Sequence, residues 1–127
     1  MIYVGAILLK DGALLLGRRA PHRSFPDCWD IIGGHVEPRE TIAQALVREA
    51  GEEVGVMPVQ FAKLALLRAE EMELHIYWVD AWSGGEPTLR GDEHVELRWF
   101  TVGKACALQH LASAEYIRVF QQLRAPT

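Results

Sequence analysis

The sequence predicts an α/β (α+β) domain in which a sheet is sandwiched between helices, and three observations carry that reading. Two apolar runs flank Asp11-Gly12, a dipeptide suited to a tight hairpin turn. Residues 41–54 repeat apolar side chains at helical spacing. The element order, strands then a helix then strands then a helix, is that of a layered mixed domain. At 127 residues, half of them hydrophobic, the chain suffices for one core, so a single domain over 1–127 is expected.

Taken in order, IYVGAILLK and the run at 13–18 are paired strands. APHRSFPD, with two prolines and no periodicity, is a loop. CWDIIGG is a short buried strand ending at Gly33-Gly34, and HVEPRE turns the chain. The helix at 41–54 should place Ala43, Val47, Ala50 and Val54 on its core face, with Gly55 at its C-terminal cap and Glu40 near its positive end. Strands at 59–69 and 72–82 follow, and alternation in the second sends Tyr77 to one face and Trp78 and Trp82 to the other. DEHVELRWFTV is a loop running into a strand, and 113–124 is an amphipathic helix with Ile117, Phe120 and Leu123 inward.

A net charge of -4 argues against a general polyanion binder, and no nucleic acid polymer is expected as a partner. Cys28 and Cys106 lack metal-ligand or redox spacing, which fits reduced thiols in a cytoplasmic protein. The N-terminal apolar run is far shorter than a membrane span, so no membrane association is expected. The oligomeric state, monomer or homodimer, is left open.

The segment REAGEEVGV sets Glu49, Glu52 and Glu53 within an arc of about 100° on one helix, where like charges repel by roughly 0.2–0.5 kcal/mol per pair. The acids are expected to share a face off the core. Carboxylates converging on one spot suit a hard cation, Mg²⁺ or Mn²⁺, which offsets the repulsion. The ordinary alternative is a solvated, salt-bridged face.

The context separates the two. Gly34, five residues to Glu40, seven to Arg48-Glu49, then Glu52-Glu53 and Gly55-Val56 resembles the signature of the Nudix hydrolase family, G-x5-E-x7-R-E-U-x-E-E-x-G-U with U aliphatic. LLLGRR, CWD and LRWF also resemble segments of MutT-like members. Ala50 is smaller than the usual aliphatic residue, and Ile32 stands where many relatives carry proline; neither change removes a charged group.

The resemblance implies a mixed sheet between helices and a metal-dependent pyrophosphohydrolase that cleaves a nucleoside diphosphate linked to X. The expected substrate is a nucleoside triphosphate, oxidised or not, giving nucleoside monophosphate and pyrophosphate. A nucleotide sugar, dinucleoside polyphosphate or coenzyme is the alternative, and a ligand sensor or partner-binding module without turnover is the non-enzymatic one. The implied metal ligands are Glu49, Glu52, Glu53 and the carbonyl of Gly33; Arg48 orients the acids and Glu40 supports it from outside the ligand set. The general base is Glu49 or a loop acid, Glu93 ranked ahead of Glu96, with His94 weaker. Arg19, ahead of Arg18, is the candidate phosphate contact, since a guanidinium fork matches phosphate oxygens. His22 and Arg23 can extend that basic rim, and His35 can touch phosphate. Trp29 and Phe25 can stack a base, with core packing at least as good an account of Trp29.

Overall fold

The computed structural model describes residues 1–123 of the chain. Its elements are β1 (Ile2–Lys10), β2 (Ala13–Arg19), β3 (Trp29–Asp30), β4 (Ile32–His35), α1 (Ile42–Val54), β5 (Met57–Ala69), β6 (Met72–Ser83), β7 (His94–Thr101), α2 (Val102–Cys106) and α3 (Tyr116–Gln122). Asp11 and Gly12 both adopt positive φ, as a primed hairpin turn requires. Yet β1 and β2 pair only at Leu9↔Leu14 and Lys10↔Ala13 before they part.

That parting makes the fold. One edge of β1 pairs with β6 in parallel, and the other takes β4 antiparallel. β2 pairs with β7 on one edge and with β3 at Gly17 and Arg18 on the other. The segment expected as one strand, CWDIIGG, therefore sits between the diverging strands and is broken at buried Ile31, where it leaves β2 for β1. The β5–β6 hairpin completes the mixed sheet.

Alternation gives the sheet two apolar faces. Val4, Ala6, Leu8, Leu15, Ile32 and Val79 pack under Ala45, Leu46, Ala50 and Val54 of α1. Ile7, Leu14, Leu16, Ile76 and Phe100 pack on the opposite face under Ala105, Tyr116, Val119 and Phe120. Each fully buried aliphatic side chain contributes about 1.5–3 kcal/mol, so this sandwich dominates the stability of the domain.

Several sequence expectations are corrected. The core face of α1 is Ala45, Leu46, Glu49, Ala50, Glu53 and Val54, while Ala43 is exposed. The helix is rolled so that Leu46 enters the core, which carries two glutamates inward with it. Thr41 caps α1 in a reciprocal box with Gln44, and Gly55 closes it in the left-handed conformation at φ 72°. In β6 the register skips Asp80, so Tyr77 and Trp82 join the same buried cluster instead of opposite faces. α2 was not anticipated. α3 begins at Tyr116 and buries Tyr116, Val119 and Phe120, leaving Ile117 half-buried; Arg124, at the end of the expected helix, lies outside the described residues. No helix among the described residues is long and apolar enough to cross a membrane.

Candidate active site

The site forms where α1 crosses the glycine pair of β4. A Cβ on Gly33 would lie 2.0 Å from the carbonyl oxygen of Val4, so only glycine lets β4 lie this close to β1. A Cβ on Gly34 would lie 2.5 Å from both carboxylate oxygens of Glu49. The missing side chain of Gly34 makes room for Glu49, which is 8% exposed, while Glu53, 6% exposed, accepts the Gly33 N–H on Oε2 at 2.9 Å. The expectation that the three glutamates share a face off the core holds for Glu52 alone, which is exposed.

Arg48 organises the outer part. Its Nε and Nη2 fork onto Glu40 at 2.7 and 3.0 Å, Nη1 reaches Glu49 Oε2 at 3.0 Å and Glu52 at 3.3 Å, and Nη2 also donates to the carbonyl of His35 at 2.9 Å. Hydrogen bonds from Arg48, then from the Glu37 N–H, lower the Glu40 pKa to about 2. Glu49 is pushed up by burial, with Arg48 opposing and the charges of Glu52 and Glu93 reinforcing.

The segment before β7 closes the inner side. The N–H groups of Thr88 and Arg90 donate to the carbonyls of Val54 and Glu53 at 3.0 and 2.9 Å, which satisfies the end of α1 and ties this loop to the helix. The Ala20 N–H then holds the carbonyl of Glu93 at 2.9 Å. Glu93 is thereby delivered beside Glu53, whose pKa is raised to about 10 by burial first, then by the Glu93 carboxyl group and the charge of Glu49, against the pull of the Gly33 N–H. Ligand atoms of Glu53, Glu93 and His94 lie within 4.8 Å of one another. Glu96 is directed elsewhere, to Arg18 and Arg98 on the β2–β7 face.

These residues fit a divalent cation. Glu53 Oε1 is buried and has no hydrogen-bond partner among the described residues, its neighbours are carboxylates that raise its pKa, and the Gly34 cradle is filled by a further carboxylate. Crowded anionic oxygens are the donor set a hard cation takes. Glu49 and Glu52 are drawn to Arg48, however, and Glu53 to Glu93 and His94, so the three glutamates do not meet at one point.

A cleft of about 710 Å³, lined on this side by Gly33 and Gly34, runs past Arg19, Arg23, Phe25, Asp30, His35, Arg68, Glu93 and Tyr116. Arg19 is braced by Asp30 at 3.2 Å and by the carbonyl and hydroxyl of Ser24; the Tyr116 hydroxyl donates to Asp30 at 2.7 Å. Burial raises the pKa of Asp30 despite these partners. Arg18 instead pairs with Asp27 and Glu96. His35 lies against Tyr3 with ring centroids 4.3 Å apart, and exposed Phe25 is held at positive φ on the rim. Trp29 sits edge-on to Phe100 at 5.0 Å in the second core cluster, beneath Arg98. Asp30 and Tyr116 escaped the sequence reading. The spacing of Tyr116, Val119, Phe120 and Leu123 carried the signal for the true inner face of α3.

A cleft lined by a glycine pair backed by carboxylates, by Glu93 and by guanidinium groups suits a hydrolase of phosphoanhydride bonds, and comparison with known proteins shows that class. The NUDIX domain model matches residues 1–123, and the chain belongs to that family. It is 36% identical over 96% of its length to the CTP pyrophosphohydrolase of Escherichia coli, covering 92% of that protein. It is also 36% identical to the 8-oxo-dGTP diphosphatase of E. coli, over 65% of this chain and 67% of that one. A solved MutT NUDIX hydrolase from Burkholderia pseudomallei superposes with a TM-score of 0.85 at 28% identity, covering 96% of both chains.

Proposed function

We propose that the protein hydrolyses nucleoside triphosphates to nucleoside monophosphate and pyrophosphate, using Mg²⁺ or Mn²⁺. The observation that carries this reading is the packing of Glu49 and Glu53 against Gly33-Gly34, a glycine pair that, with Glu93, lines a cleft whose wall presents Arg19, Arg23 and Arg68. Acids at one end and cations along the wall match a polyphosphate that is neutralised from both sides. A bound divalent cation supplies charge screening for the pyrophosphate, alignment of the reacting oxygens and a more acidic water.

The chain's own groups have distinct tasks. Glu49, Glu52 and Glu53, with the Gly33 carbonyl, would hold the cation by closing on it from their separate positions. Arg48, braced by Glu40, fixes Glu49 and Glu52. Glu93, at the inner end beside Glu53, takes the proton of the attacking water; Glu96 is committed to arginines. Arg19 binds substrate phosphate from its brace on Asp30, and His35 extends that contact. The relative that acts on 8-oxo-dGTP supports including oxidised nucleotides among the substrates.

The test is a panel of ordinary and oxidised nucleoside triphosphates, nucleotide sugars and dinucleoside polyphosphates with Mg²⁺ or Mn²⁺, products identified by mass spectrometry. Monophosphate and pyrophosphate from triphosphates support the reading. Turnover confined to nucleotide sugars, releasing a sugar phosphate, overturns it.

A further inference from the structure

We propose that His94 is a positioning residue: its Nδ1–H holds the Oε1 edge of Glu53, opposite the Gly33 N–H on Oε2, and so fixes the plane of that carboxylate behind the glycine pair. The inference rests on the reading above that Glu53 binds the cation.

Three observations carry it. The His94 side chain is 3% exposed, and its Nδ1 lies 3.4 Å from Glu53 Oε1. Both Glu53 Oε1 and His94 Nε2 are buried with no hydrogen-bond partner among the described residues. The ring also has a built seat: a Cβ on Gly17 would lie 2.6 Å from its Cδ2 and 2.7 Å from its Cγ, so β2 leaves a side chain out where the imidazole packs.

The tautomer follows from satisfaction of polar groups. A neutral imidazole carries one N–H, on Nδ1 or on Nε2. A proton on Nε2 would leave a buried donor orphaned. A proton on Nδ1 faces Glu53 and leaves only a lone pair unmet, which costs less. A carboxylate that binds a cation is ionised, and both its oxygens then accept; Gly33 serves one and His94 the other. The 3.4 Å separation is long, as such contacts often are before a site is loaded.

The experiment measures Mn²⁺ affinity directly, from the electron paramagnetic resonance signal of free Mn²⁺, in wild type, Glu53→Gln, His94→Leu, His94→Asn and Gly17→Ala. An asparagine amide places an N–H near the position of Nδ1. His94→Leu should weaken binding about 10–100-fold, the range for loss of a group that orients a ligand, while His94→Asn stays within about 3-fold of wild type. Gly17→Ala should reproduce His94→Leu, and the two together should be no worse than either alone, since both remove one contact. Melting temperatures establish that each variant is folded. If Glu53→Gln binds Mn²⁺ as wild type does, the cation reading of Glu53 fails. If Glu53→Gln is weakened and His94→Leu is not, or if His94→Asn is as weak as His94→Leu, the positioning role alone fails. A directly bonded ¹⁴N coupling in the pulsed spectrum of wild type also overturns it, because His94 would then be a ligand.

Discussion

Gly34→Ala separates the site from the fold. The new Cβ would stand 2.5 Å from both oxygens of Glu49, so the carboxylate must retreat by about 0.9 Å to reach the 3.4 Å at which ordinary contact begins. Glu49 meets this contact with the end of a flexible side chain, so the fold yields there at little cost. Misplacing a reacting or ligating group by about 1 Å costs on the order of 100-fold in rate, or about 2.7 kcal/mol of transition-state stabilisation. Steady-state pyrophosphate release should therefore show kcat/KM reduced about 100-fold, with Tm within a few degrees of wild type. Gly33→Ala is the contrast, because its Cβ would meet the Val4 carbonyl at 2.0 Å and the Gly5 Cα at 2.9 Å, both backbone. Neither can move without breaking the β1–β4 pairing, so that variant should lose about 3 kcal/mol or more and at least about 10 °C in Tm. Wild-type turnover in Gly34→Ala would refute the placement of Glu49 as a condition of activity.

The two loop acids should part in the same assay. Glu93→Gln should lose about 100-fold or more in kcat, the usual contribution of a general base, while Glu96→Gln, which breaks contacts with Arg18 and Arg98, stays within a few-fold. In chelator, wild type should lose stability as pH rises from about 4.5 towards 10. The unfolded chain releases the Glu53 proton near 4.5, whereas the folded chain holds it to about 10, a cost of roughly 3 kcal/mol at pH 7. Glu53→Gln should therefore melt higher than wild type at pH 8 without metal, the gap closing by about pH 4; equal melting curves at pH 8 would count against a buried protonated Glu53. Glu40 has the opposite sign: its folded pKa of about 2 lies below the ordinary value, so its stabilisation is present above about 4.5 and is lost as pH falls through 2. The Tm difference between wild type and Glu40→Gln should be constant above pH 5 and vanish near pH 2.

Much of this was legible in the sequence because the relevant signals are local. Asp11-Gly12 could serve only as a turn, Thr41 and Gly55 bracket α1 by capping chemistry, and the spacing from Gly34 to Glu53 brings strand and helix together. What the sequence hid depends on contacts between distant segments. Glu49 is buried because Gly34 on another element makes room for it, Glu53 takes the N–H of Gly33 there, and no helical wheel contains β4. The break at Ile31 arises from the divergence of β1 and β2, and the skip at Asp80 from the register with β5. Asp30 and Tyr116 meet across 86 positions of sequence, with no motif to announce them. His94 reads in sequence only as a weak candidate for the base, and its seat on Gly17 exists only once β7 has paired with β2.

The central claim is that carboxylates assembled on Gly33-Gly34 hold a cation that promotes hydrolysis of a nucleoside triphosphate between its α- and β-phosphates. The most direct measurement is ³¹P NMR of the reaction with a nucleoside triphosphate in H₂¹⁸O, wild type beside Glu53→Gln. The account predicts monophosphate and pyrophosphate as the only products, ¹⁸O in one of them and not both, and loss of turnover in Glu53→Gln. Nucleoside diphosphate and inorganic phosphate as products, or undiminished turnover in Glu53→Gln, would contradict it.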